Sequence, residues 1–285
     1  MKKQTELRLK HLITAGFAVC LLSILLIGPA AAAADISTRP LSDKVTYALT
    51  NSAYECTADT TIGGTAGSPI TVNLIDKNYA GDYYGLFGDL TVAEGKTLTV
   101  QYVDFTIPGT GIITQTGHGL GLFAGYLTGS VIFDHCTVNG DTLTSNNNYI
   151  GSLVGYANDA HINALDCNVN VKAISTTGGS SLGGLVGYAS SASTLNFENC
   201  TVGTQANPVA ISASGYKVGG LLGCVDTGIA TGSFHAAGCT VYADTISSTA
   251  GSDAGGLIGG AYSTGTFTME NCIVGSSANP VTITA

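Results

Sequence analysis

Four acidic residues stand at matching places along this chain of 285 residues: Asp134, Asp166, Glu198 and Glu270, each one or two positions before a cysteine. Two carboxyl groups at a defined separation can cleave a glycosidic bond, one as general acid and the other as base or nucleophile. The residue pattern argues against that use here. Other copies of the same segment place Ala, Val, Leu or Gly there, and Arg39, the one arginine after the leader, lies far from the acids. His118, His135, His161 and His235 are scattered, and no G-x-S-x-G or H-E-x-x-H motif is present. The glycine-rich phrases are followed by no lysine and no helical pattern, so they are not phosphate loops. C-x-x-C pairs, EF-hand loops and the G-G-x-G-x-D calcium array are also missing, so no cofactor or metal is expected.

The cysteines themselves mark a repeat. Leu195-x-Phe197-x-x-Cys200-x-Val202 has copies ending Cys136-x-Val138, Cys167-x-Val169, Cys239-x-Val241 and Cys272-x-Val274, and a distant first copy is read as Val100-x-Tyr102-x-x-Phe105-x-Ile107. Each copy follows a glycine phrase ending at Gly88, Gly125, Gly155, Gly187, Gly223 or Gly259, with spacings of 37, 30, 32, 36 and 36 residues. Such a period signals a solenoid or array. Because Cys136, Cys167, Cys200, Cys239 and Cys272 share a slot that Phe105 fills in the first copy, they are expected as a buried, reduced, inward stack rather than as disulfides. Cys56 and Cys224 fall outside the slot, and their pairing state is open.

Elements must position this stack. Leu195 and Phe197 alternate as on a half-buried strand, and the alternation resumes one step out of phase at Cys200. Both halves face one core only if the backbone bends between them. The residue before the slot is Asp104, His135, Asp166, Asn199, Gly238 or Asn271, types suited to positive φ. Leu143, Ile174 and Ile246 lie seven residues past their cysteines, and Ile211 and Ile283 eleven past, which predicts a loop of variable length around Asn207-Pro208 and Asn279-Pro280. Three short strands and three bends per repeat make a rung, and six rungs at about 4.8 Å give a parallel β-helix roughly 30 Å long. A propeller fits less well, given the short strands, the corner slot and the absence of tryptophan.

Residues 1–34 read as a secretory signal peptide, with Lys2, Lys3, Arg8 and Lys10 before an apolar run and an alanine cluster. Without the four basic residues and one acid of that segment, 6 basic and 18 acidic residues remain, a net charge of −12. Nucleic acid is therefore excluded as an expected partner. Residues 35–80 are read as an N-terminal cap with lead-in strands, among them Val72–Ile75, and residues 81–285 as the solenoid. The chain is expected to continue past Ala285, or a partner to cover that end, because Val281 and Ile283 would otherwise be left at an open edge; end-to-end self-association is the corollary.

The phrase Gly183-Gly184-Leu185-Val186-Gly187-Tyr188, followed by Phe197-Glu198-Asn199-Cys200-Thr201-Val202, resembles the GLUG-motif repeat of secreted and cell-surface, adhesin-like bacterial and archaeal proteins. The resemblance covers about 81–285 and is strongest over 183–202, 219–241 and 255–274. It implies a non-catalytic surface module and supplies no ligand. The reading is a secreted or cell-surface structural or adhesive β-solenoid, binding a surface protein or glycan through loops such as Asn146–Tyr149 and Asn207–Pro208. One alternative is a polysaccharide-processing β-helix. The other is an ice- or lattice-binding solenoid, suggested by the row Thr106, Thr137, Asn168, Thr201, Thr240 and Ile273.

Overall fold

The computed structural model describes residues 33–285 apart from 76–80, 108, 110–111, 115–116, 147, 191, 227–231, 251–252, 277 and 279. All but the last two residues of the expected leader lie outside the described residues, and so does Asn279. From Ala34 onward the chain forms one compact unit.

One rung shows the plan. Ser181–Gly183 joins a sheet of short glycine-bearing strands, which we call the glycine sheet. After a bend, Val186–Ser190 and Thr194–Glu198 lie in the long sheet. The chain turns at Asn199, contributes Thr201–Val202 to the cysteine sheet, then loops to Val209–Ala213 in the isoleucine sheet. Among the described residues the four sheets hold six, thirteen, eight and six strands in that order, with every strand pair parallel. A rung thus crosses four sheets. The expectation of three strands and three bends was too few, because each glycine phrase holds two strands and the bend between them.

Register follows the alternation of inward apolar residues. Leu143, Ile174, Ile211, Ile246 and Ile283 are mutual partners, so the variable loops are absorbed as anticipated. Phe133, Ala164, Phe197, Ala236 and Met269 form another inward line. Its large-small alternation suits a stack in which rungs sit only about 4.8 Å apart. Phe197 also meets Phe234 edge-on, with centroids 5.4 Å apart, an arrangement the ring quadrupoles favour.

The glycines are required by close approach. A Cβ at Gly187 would lie 2.5 Å from the Ile150 nitrogen and 2.6 Å from the Gly155 carbonyl oxygen. Gly125, Gly155, Gly223 and Gly259 meet backbone in the same way. The second strand of each phrase therefore packs on the phrase of the preceding rung with no side chain between them.

The corner residues take positive φ: His135 (52°), Asp166 (51°), Asn199 (53°), Gly238 (63°) and Asn271 (53°). The first copy corrects the reading. There the left-handed residue is Tyr102, at 51°, and not Asp104. Thr137 and Val138 pair with Asp104 and Phe105, so Val103 fills the cysteine slot and Phe105 the valine slot. The true first copy is Leu98-x-Val100-x-x-Val103-x-Phe105, two residues earlier than the alternation suggested. Before it, Thr60–Gly63 and Ile70–Ile75 stack on the strands holding Val100 and Phe105. This lead-in segment escapes the repeat pattern because a small loop closed by Thr65 and Ser68 widens its corner.

Candidate binding face

The five slot cysteines form one line across successive rungs. Cys136, Cys167, Cys200 and Cys239 are buried free thiols, whereas Cys272, on the outermost rung, is partly exposed. Each thiol donates to a carbonyl one rung back: Cys136 to Val100 (3.2 Å), Cys167 to Phe133 (3.6 Å), Cys200 to Ala164 (3.2 Å), Cys239 to Phe197 (3.4 Å) and Cys272 to Ala236 (3.5 Å). Hydrogen bonding to the preceding thiol, with burial, raises the pKa of Cys167, Cys200 and Cys239. A thiol held neutral in this way is a poor nucleophile. Asn199 and Asn271 belong to the corners and to no site.

The corner acids do meet, but at a solvent-exposed corner. His135 Nδ1 lies 2.6 Å from Asp134 Oδ1, its Nε2 lies 3.9 Å from Asp166 Oδ2, and its ring stacks on Tyr102 at 4.9 Å. The three side chains are 48%, 29% and 45% exposed. No wall encloses a substrate there. Glu198 accepts from Asn196 at 2.8 Å, and Glu270 is exposed. The outward threonine row is also less regular than expected. Its first member is Asp104 and not Thr106, so it runs Asp104, Thr137, Asn168, Thr201, Thr240, Ile273. Among the described residues no group of three or more His, Cys, Asp or Glu side chains is placed to hold a metal ion.

The feature that does gather side chains lies over the glycine bends. Tyr126, Tyr156 and Tyr188 each follow a phrase-ending glycine and are partners in register, flanked by Asp89 before and Cys224 after. Facing them from the glycine sheet is the column Tyr83, Gly119, Tyr149, Ser181, Lys217, Asp253. The two strands of each phrase bring these columns together. Ring centroids are 4.8 Å apart for Tyr83–Tyr126, 5.1 Å for Tyr149–Tyr156, 4.6 Å for Tyr149–Tyr188 and 5.3 Å for Tyr156–Tyr188. All five tyrosines are half-buried. Burial, followed by the neighbouring phenols, pushes Tyr83 up to about 12. Burial also raises Tyr126, Tyr149 and Tyr188, and the half-buried carboxyl of Asp89. Cys224, the cysteine outside the slot, closes this column and is pushed up by burial to about 11. Sequence reasoning missed this wall; the recurring dipeptides Gly125-Tyr126, Gly155-Tyr156 and Gly187-Tyr188 mark one of its two columns and not the column that faces it.

No protein-family model matches the chain, and no curated protein matches it either. Among solved structures it is similar to one from Bacteroides ovatus described as a "putative immunoglobulin A1 protease", at 17% identity and a TM-score of 0.47, over 86% of this chain and 79% of that one.

Proposed function

We propose that this chain is a structural or adhesive β-solenoid module, secreted or displayed on a cell surface, that binds protein or glycan partners without catalysis. The observation that carries this reading is the half-exposed tyrosine wall over the glycine bends. Aromatic side chains with polar tips, held rigidly on a regular scaffold, are suited to contact surfaces. The likeness to GLUG-motif repeats, with the sequence's leader and its acidic balance, supports the surface setting. Binding to a panel of immobilised glycans and extracellular proteins should be saturable and leave the ligand chemically unchanged.

A polysaccharide-processing reading has one feature in its favour, the Asp134–His135–Asp166 cluster. Its exposed setting opposes it, since acid-base cleavage needs the sugar held between the carboxyls. Release of products from a polysaccharide panel, abolished by Asp134→Asn or Asp166→Asn, would replace the adhesive reading with the enzymatic one.

A further inference from the structure

Next to the tyrosine wall, one cation of the chain already sits on an aromatic face. Lys217 continues the column of Tyr149, and its Nζ lies 4.4 Å from the ring centre of Tyr262, whose hydroxyl donates to Asp253 at 2.6 Å. An ammonium over an aromatic face is attracted by the ring quadrupole, and a carboxylate beside it adds to that attraction. The preceding rungs repeat the aromatic faces and place carboxyls beside them, Asp89 in register with Tyr126 and Asp82 next to Tyr83, while Lys217 is the one lysine or arginine in the two columns. Between Tyr149 and Lys217 stands Ser181, 1% exposed, whose hydroxyl has no hydrogen-bond partner among the described residues. The rings pack edge and face against one another, which leaves patches of π-surface rather than a broad flat platform. Such patches fit a slim ammonium or guanidinium better than a pyranose ring. The residues after the leader carry a net charge of −12, which attracts the same class of ligand.

We propose that the tyrosine wall docks a basic protein segment, with its lysine or arginine side chains lying against the solvent-facing parts of the Tyr126, Tyr149, Tyr156 and Tyr188 rings between the carboxylates at either end. The proposal deepens the partner-binding reading above and rests on it.

The test titrates the protein with an octalysine peptide at low and at physiological salt, beside an octaserine peptide and a neutral oligosaccharide. With no tryptophan, emission comes from 13 tyrosines, five of them in the wall, so a change carried by the wall should shrink in Tyr156→Leu. Octalysine should change that emission saturably, and octaserine should not. Tyr156→Leu should weaken octalysine about tenfold, about 1.4 kcal/mol, while Tyr156→Phe, which keeps the ring face, should stay within about twofold. Asp89→Asn should weaken binding more than Glu94→Gln, a change at an exposed site off the wall. Equal losses for the two carboxylate variants, or no emission change in the unaltered protein, would overturn the proposal as unspecific charge attraction or no binding. Saturable binding of the oligosaccharide but not of octalysine, lost in Tyr156→Leu, would also overturn it while leaving the partner-binding function standing. If no peptide, glycan or protein of either panel binds, both readings fall.

Discussion

The corner residue decides whether each rung closes. Asn199 holds φ at 53°, a region open to glycine and accessible to asparagine but strained for β-branched side chains. Asn199→Gly should therefore leave stability within about 0.5 kcal/mol, and Asn199→Val should cost about 1 kcal/mol or more. Denaturant melts of the two variants measure the difference, and equal midpoints would reject the left-handed corner. The thiol beside the corner gives a pH signature. Cys167 is raised above its ordinary value of 9.0 by its hydrogen bond to Cys136 and by burial. Above that pH the unfolded chain sheds the proton while the fold keeps it. The stability this thiol contributes is thus full below about pH 9 and declines as pH rises. Cys167→Val should fold, because Val103 occupies the same slot in the first rung, and it should flatten the alkaline limb of the stability profile. Thiol counting without reductant should find the five aligned cysteines unpaired once the chain is denatured. Disulfides among them would contradict the stack.

Elements carry the next level of the argument. Each glycine phrase packs its second strand on the phrase of the rung before it, so Gly187→Ala forces backbone apart and should cost about 1–3 kcal/mol, the range for overpacking. Gly67→Ala, where a Cβ meets nothing within 4 Å, should melt like the parent. A comparable loss at both sites would show that the close approach is not what the phrase encodes. The same elements explain what was legible in the sequence. The cysteine slot, the glycine phrases and the isoleucine line could be aligned because each is an inward position whose side chain must match the rung beneath it. The first copy was framed two residues late because Leu98, Val100 and Tyr102 alternate equally well in either frame, and a two-residue slip keeps every side chain on its face. Nothing in the residue type of Tyr102 marks a left-handed corner. The tyrosine wall went unseen for a different reason. It depends on a bend that brings two columns together, and the single-strand alternation of Gly187-Tyr188 gives no hint of what faces it.

At the scale of the molecule, the two flanks of the ladder differ. The rung from Asp253 to Thr284 leaves Met269 (51%), Ile273 (53%), Val274 (37%) and Ile283 (45%) exposed, together with strand edges. Apolar edges of parallel sheets invite pairing with another chain. A polypeptide ending at Ala285 should therefore self-associate increasingly with concentration in sedimentation experiments, and charged substitutions at Ile273 and Ile283 should suppress it. A monomer across a wide concentration range would show that this flank does not recruit a second copy.

The parallel register of all four sheets also has a mechanical consequence. The backbone hydrogen bonds of every rung point along the axis of the solenoid, not around it. Tension applied between the two ends pulls on all the bonds of one rung-to-rung interface together, whereas a sideways pull at one end strips them a few at a time. Because each rung is hydrogen-bonded through its strands only to the rungs on either side of it, the load passes through every interface in series, and the weakest interface sets the breaking force. Tethering at the two ends therefore makes this unit a stiff spacer, and tethering through the free edge of one rung makes it a zipper that peels.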